Sequence, residues 1–418
     1  MFVAKLDRPW LGTPMAFQGF WVRNLDQIDN LNKFCQHVWV RTDMQGRPTD
    51  VAEDEEINWQ DRTARNDREI GIVDYMPSRP VAYRDTALLE DEFEAAGNAR
   101  RKVCDALDDL VDDINRQRTI AIDGLQDAVS ELSGSIMRNP DACMWLRLVK
   151  RRDTYTYFHL IDTSALAIAF GRHLGFSAPE IADIGLGAML IDIGKLKLPE
   201  ELLGKTGALT DAERELVQKH VDYSVELLKE VPNMRRRVLD IVAAHHERFD
   251  GGGYPNRLVG RKIPPFARMV AIADYFDAIT SDKAYSSGVS PHDAMRRLYD
   301  AADKAFQREL VEQFIQCLGI YPTGTLVELN TGEVGIVVNQ NRVRRLRPRL
   351  MLILGPDKQQ LSEFVELDLM DDDLRSGDNP VSIARSVEAE QFGIDTDQFY
   401  IARDRVTPDF LHDIARLT

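Results

Sequence analysis

The sequence predicts a multidomain α+β chain, with a central all-α bundle between a small N-terminal α+β domain and a C-terminal β-rich domain. Three observations carry this. From Ala87 onward apolar residues recur at three and four positions, the helical period. Short strand-like runs stand before that region and after it. The chain has 418 residues, enough for two or three domains with a substantial buried core.

Residues 1–85 form the first unit: FVAKL, FWV and VWVRT read as short strands around one helix, LDQIDNLNKFCQ. The stretch from Met44 to about Arg68 is polar and charged, a linker or exposed loop, and the unit as a whole is expected to be regulatory. Residues 86–145 are a helical linker region, with Val103, Leu107, Leu110, Val111 and Ile114 on one face. The central domain, 146–320, continues the helical pattern and is punctuated at Gly175, Gly194, Pro199, Gly204 and the Gly251–Pro255 cluster. In the last domain, 321–418, GTLVEL and VGIVV flank a turn carrying Thr331-Gly332, a hairpin signal. RLMLILG suggests a third strand, and the acidic MDDD follows.

Composition narrows the function. The chain is 44% hydrophobic and 29% charged, ordinary for a soluble globular protein. Its net charge of −16 disfavours duplex nucleic acid and anionic membranes as partners. An anionic ligand would need local cations or metal ions. Cys35, Cys104, Cys143 and Cys317 lie far apart, which fits reduced core thiols better than a zinc or disulfide framework. MFVAKLDRPWLG lacks the apolar core of a signal peptide, and no apolar run reaches the roughly 18–20 residues needed to span a bilayer. A cytoplasmic protein is expected.

Four histidines of the helical middle stand out beside suitable carboxylates. His159 lies in YTYFHLIDTS, Asp192 in IDIGK, His220 in VQKHVDYS, His245 and His246 in AAHHERFDGGGYP, and Asp274 in AIADYFD. Imidazole and carboxylate together suit a borderline divalent metal such as iron, manganese, zinc or nickel. Any one of them alone also reads as a satisfied polar residue on a helix. The adjacent His245-His246 pair fits that reading less well. Neighbouring side chains on a helix diverge by about 100°, yet both can approach one ion at a helix end.

The stretch HHERFDGGGYPNRLVGRKIPPFARMVAIADYFDAITSDKAY resembles the signature of HD-GYP domains, metal-dependent phosphodiesterases that hydrolyse the bacterial second messenger cyclic di-GMP. The likeness extends upstream through LGKTGALTDAERELVQKH and YTYFHLIDTSALAIAFGRHLG, covering about residues 150–320. KLDRPWLGTPMAFQGFWV is similar to a small domain of unknown function often placed before such modules, and the C-terminal hairpin is likewise familiar after them. The resemblance implies an HD-type helical bundle with one or two divalent transition metals per chain, iron or manganese favoured. It also implies cyclic di-GMP or a related cyclic dinucleotide as ligand, and protein partners in signalling.

Residue by residue, the resemblance makes His159, Asp192, His220, His245, His246 and Asp274 the metal ligands, with Asp192 bridging. Lys195 is matched to the lysine near the scissile phosphate, so Lys195 and Asp192 are the catalytic candidates. Tyr254 and Pro255 of the GYP loop, with Arg268 and Lys283, are the substrate-binding candidates. The histidine of the HD pair is absent, and Ile191 stands in its place. One site, His159-Asp192-Asp274, would then keep three protein ligands, while Asp192-His220-His245-His246 keeps four. Tyr155 stands where a glutamate would support a third ion, Ser286 ends the usually basic TSDKAYS stretch, and Arg257 replaces a glycine after GYP-x. Arg257 and Lys283 also read as solvated surface charge. His412-Asp413 lies outside the matching region and reads as an ordinary helix pair. Three functions follow: a phosphodiesterase with weak or lost turnover that keeps metal and nucleotide binding, a fully active one that tolerates Ile191, or a hydrolase of another nucleotide.

Overall fold

The computed structural model describes residues 2–6, 20–21, 38–41 and 76–394, the last with short gaps at 78, 148–154, 206, 282–287, 343, 372–373 and 375–379. The chain divides into two compact units, Met1–Val73 and Asp74–Thr418. In the first, β1 (Phe2–Leu6) is the centre of an antiparallel sheet between β2 (Phe20–Trp21) and β3 (Val38–Arg41). Phe2 lies opposite Trp21 and Arg41. All three strands fall in the expected runs. The expected helix at 25–36 and the polar stretch 44–68 lie outside the described residues.

The second unit opens with α1 (Leu89–Asn115) and α2 (Asp123–Arg138), which divide the long periodic stretch. The break follows Arg116, where Gln117 takes a left-handed φ of 52°. Val103, Leu107 and Leu110 are buried, as the period requires, and Val111 and Ile114 are half-buried at the edge. The short α3 (Pro140–Leu146) follows. Asn139 caps it by accepting the Asp141 N–H at 3.0 Å, and Pro140 occupies the first turn where its missing N–H costs nothing. All seven residues of α3 are buried.

The centre of the bundle is α4 (Tyr155–Leu174), α5 (Ala178–Leu190) and α10 (Pro265–Thr280), with α6 (Glu200–Leu203), α7 (Asp211–Gln218), α8 (His220–Lys229) and α9 (Arg236–Ala244) between the last two. A Ser177/Glu180 capping box starts α5. Two further helices, α11 (Pro291–Asp300) and α12 (Arg308–Leu318), close the bundle. Phe314 of α12 meets Phe170 of α4 at 5.3 Å and Phe276 of α10 at 5.5 Å, both edge to face. Burial of each such ring contributes about 1.5–3 kcal/mol. No helix among the described residues is long and apolar enough to cross a membrane.

The C-terminal part is an antiparallel five-stranded sheet in the order β7-β6-β5-β4-β8: β4 (Leu326–Leu329), β5 (Val334–Asn339), β6 (Arg349–Leu354), β7 (Gln360–Asp368) and β8 (Ile383–Ser386). The expected hairpin is β4–β5, with Leu326 opposite Ile336 and Gly332 at φ 101° in the turn. RLMLILG is β6. Val327, Leu329, Val337, Leu350, Leu352 and Leu369 form its core.

Cys104, Cys143 and Cys317 are free thiols, and Cys35 lies outside the described residues. Burial pushes Cys143 and Cys317 up to about 11, so both are protonated at neutral pH. His173, at the end of α4, is lowered to about 3, first by burial and then by Arg345, against the raising effect of its bond to Gln313. The folded state therefore keeps His173 neutral where the unfolded chain protonates it at about 6.5. The resulting loss of stability begins below that pH and deepens toward the folded value, by up to about 1.4 kcal/mol per unit. His173→Gln should flatten this acid slope. Urea midpoints at pH 7 and pH 5.5 should fall less in the variant, by about 1 kcal/mol in stability.

Candidate metal centre

Helix α5 runs to Leu190, and Ile191, wholly buried, caps it. The chain then turns at Asp192 into a 3-10 turn, Ile193–Lys197. A serine of α8 holds that turn. Ser224 Oγ donates to the Ile191 carbonyl at 3.0 Å and accepts the Gly194 N–H at 2.8 Å. A Cβ on Gly194 would stand 2.1 Å from the His220 carbonyl oxygen and 2.4 Å from the Ser224 nitrogen. Only glycine lets the Asp192 turn and the first turn of α8 approach this closely.

That approach brings Asp192 Oδ1 to 3.3 Å from His220 Nε2, while Lys195 Nζ donates to Asp192 Oδ2 at 2.6 Å. His245 and His246 arrive from the end of α9. Their rings lie 4.1 Å apart, and the His220 ring is 5.6 Å from one and 5.0 Å from the other. One ligand atom from each of Asp192, His220, His245 and His246 falls within 4.8 Å of the others.

The protonation pattern is as telling as the distances. His220 Nδ1 donates to the Val217 carbonyl at 2.7 Å, and His245 Nδ1 to that of Val242 at 2.8 Å. Each bond assigns the proton to Nδ1 and leaves Nε2 with a lone pair. Burial lowers His245 to about 4 and lowers His220 and His246 as well. Burial would raise Asp192, yet Lys195 first and then His220 hold its carboxyl below the usual range. The result is an anion among three neutral imidazoles. Asp192 Oδ1, His220 Nε2 and His245 Nε2 are buried without a hydrogen-bond partner. Each such orphan costs roughly 1–3 kcal/mol. A cation accepts all three lone pairs, so this donor set fits a borderline divalent metal.

His159 and Asp274 stand beside that group and not in it. His159 is buried on α4; its Nε2 meets Asp274 Oδ1 at 3.0 Å and its Nδ1 meets Asp277 Oδ2 at 2.8 Å. Burial would lower His159, but the bonds to Asp274 and Asp277 raise it to about 10. Arg147 Nη2 donates to the other oxygen of Asp277 at 2.7 Å.

The loop after α9 folds back over the histidines. Glu247, buried, accepts the N–H of Asn256 at 2.7 Å and of Leu258 at 2.8 Å, and Tyr254 N–H donates to the His246 carbonyl at 3.2 Å. The Tyr254 ring lies 4.7 Å from that of His246. Pro255 follows, and a groove of about 400 Å³ lined by Lys219, Asp222, Tyr254, Pro255 and Arg257 runs along the loop. Arg257 takes a left-handed φ of 52°, where glycine is at ease. Arg257→Gly should therefore keep or raise stability, by up to about 1 kcal/mol, as a thermal melt would show.

Arg268, a substrate-binding candidate by resemblance, sits inside the bundle. It is 4% exposed on α10, and its Nη1 donates to Gln307 Oε1, which roots it inside the bundle. Lys283, Ser286 and His412-Asp413 lie outside the described residues, as does the Tyr155 side chain. Sequence reasoning missed Ser224, Glu247, Arg147 and Asp277. Asp277 had a signal: it follows Asp274 by three residues, on the same helical face.

An HD domain model matches residues 137–310. A domain of unknown function matches 1–125, and a KOW domain associated with HD domains matches 326–376. A cyclic di-GMP phosphodiesterase of Pseudomonas aeruginosa is 32% identical over 362 residues, covering 85% of this chain and 83% of that protein. The chain belongs to the HD-GYP family. A second relative, the cyclic di-GMP phosphodiesterase response regulator of Xanthomonas campestris, is 36% identical over 171 residues, 41% of this chain and 45% of that protein. Among solved structures, an HDG"Y"P protein from Bdellovibrio bacteriovorus is 20% identical, with a TM-score of 0.44 over 56% of this chain and 74% of that one.

Proposed function

We propose that this HD-GYP chain holds a divalent transition metal on Asp192, His220, His245 and His246 and takes cyclic di-GMP as its ligand, with hydrolysis weakened by Ile191. The observation that carries the metal reading is the convergence of three buried, unpartnered lone pairs on one point. The nucleotide reading is supported by relatives named as cyclic di-GMP phosphodiesterases. Bound there, a divalent cation supplies Lewis-acid chemistry, offsetting phosphodiester charge and favouring deprotonation of water.

The chain's own residues do the rest. Lys195 Nζ, held on Asp192 Oδ2, is the cation placed to meet a phosphate oxygen. Tyr254 and Pro255, anchored through Glu247 and the His246 carbonyl, form the wall along which a base can lie. His159 and Asp274 are the remaining donors for a second ion. Ile191 has no lone pair for it, and its complete burial shows that the position faces the interior.

The test is Ile191→His with metal analysis and cyclic di-GMP turnover on the same preparations. Metal content is expected to rise from about one toward two per chain and hydrolysis at least tenfold. Rapid turnover with two metals in the unaltered protein would overturn the weakened-hydrolysis reading and leave the fully active one. A rise in metal without turnover would locate the defect in substrate placement, where Arg257 and Ser286 depart from the family pattern.

A further inference from the structure

The C-terminal sheet touches the helical domain through buried charge. Beyond β5, Arg342 Nη2 donates to Asp141 Oδ2 at 2.6 Å, and the Gln340 N–H reaches the same oxygen at 3.3 Å. Asp141 is 2% exposed, in the first turn of α3. Six residues on, about 9 Å along the helix axis, Arg147 follows the last turn of α3 and bonds Asp277 at 2.7 Å. Asp277 in turn bonds His159 Nδ1 at 2.8 Å. The short helix thus carries an ion pair with a buried carboxylate at each end: Asp141 with Arg342 of the loop after β5, and Arg147 with Asp277, which holds His159 beside the metal cluster.

Nothing along its length is free to slip. Every residue of α3 is buried, Trp145 at 1% exposure among them, and close-packed interiors pass a displacement on instead of absorbing it. Breaking either buried pair leaves an uncompensated charge, so each end enforces its geometry strongly.

We propose that α3 is a strut through which the C-terminal sheet fixes the position of His159, with Arg147 and Asp277 as positioning residues. This gives the sheet a task at the metal centre without any contact to a ligand. It rests on the metal reading above only for its effect on cation affinity.

Amide hydrogen exchange on the metal-free full chain tests the strut without reference to metal. Arg342→Met is expected to speed exchange at least tenfold in α3 and around Asp277 in α10. Leu352→Ala, which loosens the sheet's own core and leaves the Arg342–Asp141 pair in place, should not change those amides. An even acceleration through the whole unit, or none in a folded Arg342→Met protein, overturns the proposal. Mn2+ titration in the Ile191→His background, where His159 would be a donor to the second ion, reads the consequence: at least threefold weaker uptake of the second Mn2+ when Arg342→Met is added and no change when Leu352→Ala is added. Faster exchange with unchanged affinity for the second Mn2+ would overturn the positioning of His159. If Ile191→His takes up no second Mn2+, the second-ion reading fails, and the exchange result still judges the strut by itself.

Discussion

Gly194→Ala is expected to cost the folded state about 3 kcal/mol or more and to abolish tight metal binding with it. The contacts that a new Cβ would make are with backbone: the His220 carbonyl oxygen at 2.1 Å and the Ser224 nitrogen at 2.4 Å. No rotamer change relieves them, so the 3-10 turn and α8 must separate. Separation breaks the bond from Gly194 N–H to Ser224 Oγ and loosens the one from Ser224 to the Ile191 carbonyl, both buried. It also moves His220 away from Asp192, where the two now stand 3.3 Å apart. A conformational clip and two ligands are lost together. Ser224→Ala is the milder companion, removing the hydroxyl without adding bulk. It should cost about 1–3 kcal/mol, since the Gly194 N–H is left buried and unpaired, and it should retain metal. Denaturant melts with metal analysis on both variants check the ordering. Equal loss of metal in the two would show that the close approach is not what matters.

Much of this arrangement was legible in the sequence. The histidines and carboxylates of the metal centre suit a divalent metal by type, but each alone also reads as a satisfied polar residue, and the family resemblance singled out the set. Helical period and the Thr331-Gly332 turn gave the bundle and the first hairpin. What stayed hidden was hidden for physical reasons. The break between α1 and α2 falls in a polar run, INRQR, where periodicity carries no signal until Gln117 turns left-handed. Strand β8 is four residues long and half exposed, so it lacks the alternation that marks a buried strand. Asp277 and Arg147 meet across 130 residues of chain, and His159 and Asp277 across 118. Pairings of that range leave no local pattern. Arg268 shows what a resemblance leaves out: it offered the residue as a substrate-binding candidate, and only packing reveals the bond to Gln307 inside the bundle.

Asp192→Asn should remove most of the bound metal while leaving the fold in place. The substitution is nearly isosteric, but an amide is a poor donor to a divalent cation and carries no charge. Asp192 is the one anion among the four clustered side chains, so without it three neutral imidazoles would face an ion whose charge nothing offsets. Two stability effects follow, and they separate by pH and by metal. Metal that binds only the folded state stabilises it by about 2.7 kcal/mol at a hundredfold excess over Kd, and the variant should forfeit that increment. Without metal, the lowered carboxyl matters on its own. A depressed folded pKa contributes stability that is present above the unfolded value of about 3.9 and is lost as pH falls through the folded one. Burial is the largest single effect on this carboxyl and opposes the contribution, but Lys195 together with His220, His245 and His159 outweighs it. At neutral pH the metal-free variant should therefore melt below the unaltered protein, and the gap should narrow in acid below about pH 4. Added Mn2+ should raise the melting temperature of the unaltered protein and barely move that of Asp192→Asn. If both proteins respond equally to Mn2+, Asp192 serves only to hold Lys195 and the turn, and the cation must bind through the histidines without it.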